Sequence, residues 1–256
     1  MRLSVNTLLH SLSAAALGAV AFASIAVQPA RAGEAMTADA VVELFTSQGC
    51  SSCPPADRVA GELSKNGKLI VLSMPVDYWD YLGWKDTFAQ HAFTERQRTY
   101  ARARGDGQVY TPQVVVNGLQ HAVGSDESGI EAAVTATTAE LKDKRVSLKL
   151  VPGGDGITVE IGAAPAGLDV SKARVLLADF KSAADVKIGR GENSGSKVTY
   201  YHVVRDLTEI GQWSGKAQTL HVSKADLAKG GADGCAVLLQ LPSGGPILAG
   251  AQLTNW

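Results

Sequence analysis

Cys50 and Cys53 stand three positions apart, between an apolar run and a pair of prolines. That placement limits the local fold more than any other feature of the chain. Ala40 to Thr46 (A-V-V-E-L-F-T) reads as a short buried strand. Ser47-Gln48-Gly49 is a turn, and Gly49 lets the backbone fold sharply before Cys50. Pro54 and Pro55 suit the first turn of a helix, where a missing N–H costs little. The helix continues from Ala56 to Leu63, with Val59, Ala60 and Leu63 on one face, and stops at Asn66-Gly67. Lys68 to Val76 is a second buried strand. A strand, a helix and a strand in this order form a βαβ unit with its two strands parallel.

The next segments extend that unit. Asp77 to Lys85 (D-Y-W-D-Y-L-G-W-K) is an aromatic loop, and Asp86 is placed to cap a helix running to about Arg104. Tyr110 to Val116 is a strand that opens with Pro112, and Asn117-Gly118 is a strong hairpin signal leading to a return strand, Leu119 to Val123. Ser125 is the expected cap of a helix from Glu127 to about Lys144. The expectation for residues 33–144 is a four-stranded mixed sheet with three helices. From Arg145 the texture changes to some seven short strand candidates separated by glycine-rich turns, among them Gly153 to Gly156, Gly189 to Gly195 and Gly244-Gly245. That pattern predicts a separate all-β, sandwich-like domain over 145–256.

Residues 1–32 read as a secretory leader. Arg2 is the positive start, Leu8 to Val27 is apolar, and Ala30-Arg31-Ala32 fits a small-x-small cleavage pattern. Cleavage after Ala32 predicts a periplasmic or secreted protein of about 220 residues. With Arg2 and Arg31 removed, 22 basic residues face 25 acidic ones, a net charge of −3 without blocks of like charge. Neither a nucleic acid nor a membrane surface is an expected partner of such a chain.

An exported C-x-x-C is either a redox pair or half of a zinc site. A helix start favours Cys50 as a thiolate, because the first-turn N–H groups and the helix dipole both stabilise negative charge. Cys53, one turn along, is placed to resolve a mixed disulfide. A zinc site would need two more ligands, and only scattered His91, His121, His202, His221 and Cys235 offer themselves. No metal and no cofactor are expected. Cys235, at the head of an apolar strand, reads as a small buried hydrophobe.

Thr111-Pro112 is the second constellation. A proline that opens a strand facing the C-x-x-C turn fits if the Thr111–Pro112 bond is cis, which leaves the Thr111 backbone free to pair with an extended substrate. The C-x-x-C helix start, the Thr-Pro strand and the hairpin together resemble the thioredoxin superfamily. Within it, T-P-Q-V-V-V-N-G followed by Gly124-Ser125-Asp126 is similar to glutaredoxin. That likeness implies a cis Pro112, with Thr111, Ser125 and Asp126 holding a substrate such as glutathione. The segments F-T-S-Q-G-C-S-S-C-P-P-A-D and V-D-Y-W-D-Y-L-G-W-K-D, with the β-rich second half, also resemble a secreted bacterial family, domain of unknown function 1223. That family has a thioredoxin-like domain and no assigned function.

Two features stay open at this level. Glu43, inside the first strand, is either a buried acid that takes the proton of Cys53 or a strand-edge carboxylate in solvent. Tyr78, Trp79, Tyr81 and Trp84 either form the lip of a substrate groove, with Trp79 as a contact, or cover a core edge. The leading expectation is a thiol–disulfide oxidoreductase acting on protein or peptide thiols and disulfides. The alternatives are a copper- or zinc-binding protein and an interaction module with a structural disulfide.

Overall fold

The computed structural model describes residues 35–254 apart from 169, 171 and 228; the expected leader and its cleavage point lie outside the described residues. In chain order the first half holds β1 (Ala35–Thr37), β2 (Ala40–Thr46), α1 (Cys53–Leu63), β3 (Leu69–Pro75), α2 (His91–Arg104), β4 (Gln113–Val116), β5 (Gln120–Val123) and α3 (Glu127–Glu140). The second half holds β6 (Leu148–Pro152), β7 (Gly156–Ile161), β8 (Ala173–Lys187), β9 (Lys197–Trp213), β10 (Gln218–Ser223), the single turn α4 (Lys224–Leu227), β11 (Gly234–Gln240) and β12 (Ile247–Thr254). The protein is a strand-rich, mixed α/β fold.

Strand alternation decides which side each helix covers. Val42 and Leu44 of β2 join Val71, Val114 and Val116 on one face, where Ala56, Val59 and Ala60 of α1 and Ile130 and Ala133 of α3 pack on them. Val41 and Phe45 point the other way and meet Phe93 and Tyr100 of α2. β2 pairs with β3 in parallel and with β4 antiparallel, and β5 closes the hairpin onto β4. Asn117 (φ +50°) and Gly118 (φ +71°) both take the left-handed conformation that a two-residue hairpin turn needs. The Asn117 carboxamide also secures the turn: Oδ1 accepts from Val41 N–H at 2.9 Å, and Nδ2 donates to Thr137 Oγ1 at 3.0 Å.

The second half does not build a sheet system of its own. One nine-stranded sheet runs β1-β12-β11-β8-β9-β3-β2-β4-β5, so the expected boundary at 144 does not divide it. Two layers do occur in this half. The three-stranded sheet β10-β7-β6 lays Leu148, Leu150, Val159 and Ile161 on Val175, Leu177, Val237 and Leu239 of β8 and β11. The other side of β8 and β11 (Leu176, Ala178, Phe180, Ala236, Leu238) packs into the core beneath α2. Because β8 and β11 are apolar on both faces, they are central strands rather than one wall of a detached sandwich.

The seam is short. β9 meets β3 at Ser73 opposite Val203, and side chains extend the join on either side. Ser73 Oγ donates to Tyr201 O at 2.7 Å, and His202 Nδ1 bonds Val71 O at 3.0 Å.

Local boundaries shift for identifiable reasons. α2 begins at His91, because the Asp86 carboxylate accepts the N–H groups of Phe88 and Ala89 and holds that stretch as a turn. Asp126, not Ser125, is the N-cap of α3, accepting from Gly129 N–H at 3.0 Å. β1 pairs with β12 at the far edge.

Candidate functional site

The C-terminal end of β2 delivers the chain into a tight turn. Cys50 N–H donates to Ser47 O, and Cys53 N–H donates to Cys50 O, so the backbone coils directly into α1. Pro54 and Pro55 follow Cys53 in its first turn. Cys50 and Cys53 form a disulfide with a Cα–Cα distance of 5.4 Å. Both are buried, 1% and 0% exposed, although Ser51 and Ser52 between them face solvent.

Gly49 is flat against the aromatic loop: a Cβ there would lie 3.1 Å from Trp79 Cβ. Trp79 in turn donates from Nε1 to Thr111 Oγ1 at 2.7 Å. One indole therefore ties the turn before Cys50 to the residue before Pro112. The Thr111–Pro112 bond is cis, as expected, and Pro112 is buried. Its carbonyl accepts from Gly124 N–H at 2.9 Å. Gly124 sits where a Cβ would meet Leu44, Ala56 of α1 and Pro112 within 3.0 Å, so the proline packs beside the first turns of α1. Ser125 and Asp126 are exposed just beyond. The Asp126 carboxylate is engaged with Gly129 N–H and Ser128 Oγ, which hold it below the usual carboxylate range.

Glu43 is not beside the disulfide. It shares the Phe45 side of β2, opposite α1, where Arg96 Nε donates to Oε1 at 2.6 Å and Tyr100 OH donates to Oε2. Its fully buried carboxylate is spent on that ion pair, under α2.

The buried acid near the cysteines is Asp57. It follows Cys53 by four residues, which puts the two side chains on one face of α1. Thr46 Oγ1 donates to Oδ1 at 2.8 Å, while Oδ2 has no hydrogen-bond partner among the described residues. Burial pushes this carboxyl up to about 8, so it holds a proton at neutral pH. Asp86, also raised by burial, contributes a smaller like-charge effect.

Gln48 organises the other flank. Its N–H donates to Asp86 Oδ2 at 2.8 Å, and its Oε1 accepts from Trp84 Nε1 at 2.8 Å. Across this flank lies the turn between β8 and β9, residues 189–195. Asn193 Nδ2 donates to Cys50 O at 2.8 Å and to Gln48 O at 3.0 Å, and Ser51 N–H donates to Glu192 Oε2 at 3.3 Å. Gly189 and Gly191 rest against Trp84. Nothing in local sequence marks Glu192 or Asn193 except the glycines around them. Asp57 was legible as the i+4 neighbour of Cys53.

Among the described residues no group of three or more His, Cys, Asp or Glu side chains could hold a metal ion. No helix there is long and apolar enough to cross a membrane. Cys235 is buried in β11 with its thiol pushed up to about 12, chiefly by burial.

Fold and site together define a mixed α/β protein with a buried C-x-x-C disulfide at a strand-to-helix turn. The chain belongs to the family described as protein of unknown function DUF1223, which it matches over residues 41–240. It is similar to the crystal structure of protein AGR_C_4864 from Agrobacterium tumefaciens, at 38% identity and a TM-score of 0.75, covering 86% of this chain and 95% of that one. HBP35 of Porphyromonas gingivalis shares the fold at 14% identity and a TM-score of 0.56, covering 85% of this chain and 75% of that one. No curated protein matches significantly.

Proposed function

We propose that this protein is a thioredoxin-like thiol–disulfide oxidoreductase acting on protein or peptide thiols outside the cytoplasm. The observation that carries the reading is the Cys50–Cys53 disulfide at the start of α1, tied through Trp79 to Thr111 and its cis bond to Pro112. The strand order β3-β2-β4-β5, with α1 and α3 on one face and α2 on the other, supports the thioredoxin-like assignment. A disulfide in place also suits an oxidising compartment.

In this reading a substrate thiolate attacks Cys50 Sγ, forming a substrate–Cys50 bond as the Cys50–Cys53 bond breaks. Cys53 leaves as a thiolate and takes a proton from the Asp57 carboxyl. A second substrate thiol, as its thiolate, then attacks the substrate sulfur of the mixed disulfide. It completes the substrate disulfide and releases Cys50 as a thiolate at the α1 N-terminus. Two electrons pass from the substrate dithiol to the protein, and the reverse sequence reduces a substrate disulfide with Asp57 as the base.

Equilibration against a dithiothreitol couple, followed by alkylation and mass measurement, tests this. The expected result is a reversible two-electron transition, and a Cys53→Ser variant that accumulates a mixed disulfide at Cys50. A pair that stays oxidised at every ratio, with no trapped adduct, removes the proposal.

A further inference from the structure

An exchangeable disulfide has to be reached along its S–S axis, yet Cys50 is 1% exposed and Cys53 is 0% exposed. One segment that bonds to this turn comes from the other half of the chain. Residues 189–195 lie across the C-x-x-C turn, with Asn193 itself only 8% exposed. Three polar bonds fasten this strap, and all three use backbone groups of the turn. Asn193 donates to the carbonyls of Gln48 and Cys50, and Glu192 accepts from the N–H of Ser51.

Two carbonyl acceptors and one N–H donor on neighbouring residues are what an extended polypeptide would pair with. The Asn193 carboxamide and Glu192 carboxylate hold them by the same chemistry. The strap is attached for easy displacement. Glu192 and Ser194 are exposed, Gly191 (φ +77°) and Gly195 (φ +84°) flank the tip, and Gly189 and Gly191 meet Trp84 without side chains of their own.

We propose that the Glu192–Asn193 strap is the specificity element of this site: it stands in for a polypeptide substrate and is displaced by one, bond for bond. The inference rests on the redox reading above. A polypeptide thiol recovers the three bonds as it enters, so the site opens with the substrate in place. A small dithiol with no peptide groups recovers none and waits for spontaneous opening. Asn193 and Glu192 are thus positioning residues that favour polypeptides over small thiols, and they give the second half of the chain a part in the chemistry.

The test follows reduction of Cys50–Cys53 by dithiothreitol and by a reduced, unfolded protein carrying two cysteines. Wild type is compared with Asn193→Ala and with Glu192→Gln, the second lying at an exposed position that leaves folding intact. The wild-type rate with dithiothreitol should level off as its concentration rises, at the opening rate of the strap, while the polypeptide reaction exceeds that ceiling. Loss of both Asn193 bonds should raise the dithiothreitol rate roughly tenfold. The polypeptide rate should change less, and E192Q should act in the same direction by a smaller factor. Unchanged dithiothreitol rates in both variants, or an equal gain for both reagents, overturn the proposal while leaving the redox reading in place. A disulfide that neither reagent reduces in any of the three proteins overturns the redox reading itself.

Discussion

Asp57 lies one turn beyond Cys53 on the same face of α1, with one carboxyl oxygen held by Thr46 and the other without a hydrogen bond among the described residues. In the unfolded chain this group titrates near 3.8, and in the folded protein near 8. The folded state therefore binds the extra proton between those values, and stability falls as pH rises from about 4 to about 8. Asp57→Asn removes the penalty. The variant should be more stable than the wild type at pH 8, by up to about 5 kcal/mol at 1.36 kcal/mol per unit, and the difference should vanish below pH 4. Urea unfolding at a series of pH values measures this; a constant difference across the range contradicts it.

His202 carries the opposite sign. Burial lowers its pKa below the ordinary 6.5, and its ring packs 4.5 Å from that of Phe180 at the seam between β3 and β9. Its stabilising contribution is present above pH 6.5 and is lost as pH falls through the lowered folded value. Wild type should therefore lose stability relative to His202→Asn on acidification below 6.5. Hydrogen exchange at Val203 and Val204 should rise over the same window, and protection that ignores pH there would count against it.

Arg96 and Glu43 form a buried ion pair on the side of β2 away from α1. Arg96→Met leaves a carboxylate buried without its partner and should cost about 3–5 kcal/mol. The double variant Glu43→Leu with Arg96→Met should recover most of that loss. Neither should move the reduction potential of Cys50–Cys53, because Glu43 faces away from α1. A shifted potential in the double variant would return Glu43 to the site.

Gly61 shows how closely the two halves of the chain meet. An added Cβ would lie 2.5 Å from the Tyr201 ring of β9. Gly61→Ala should lose about 1–2 kcal/mol to overpacking even though alanine is the better helix former by about 1 kcal/mol. With Tyr201→Ala as background the sign should reverse, since only the helix preference is left. Thermal melts of the four proteins decide it.

The local signals in the sequence were strong where one short segment decides its own geometry. Asn117-Gly118 specifies its turn, Pro54-Pro55 starts its helix, and β2 and β12 fall within a residue of the apolar runs that announce them. Which face of a strand a helix will cover is not a local property. Glu43 and Leu44 are neighbours with opposite fates, and only the placement of α1 assigns them. The continuity of the sheet was hidden for a similar reason. β8 and β9 run on to Lys187 and Trp213, past the apolar stretches that mark their starts, and the join of β9 to β3 depends on Ser73, Tyr201 and His202 meeting across more than 120 positions.

Asn193 and Cys50 are 143 positions apart, and that separation has a consequence in time. At a synthesis rate of roughly 5–20 residues per second, the cysteines leave the ribosome on the order of ten seconds before the strap that bonds to their turn exists. For that interval the turn has its first-half neighbours, Trp79 and Pro112, but not Asn193 and Glu192. The turn around Cys50 is therefore complete only once the last third of the chain has been made, because Gln48, Cys50 and Ser51 wait for Asn193 and Glu192 as bonding partners.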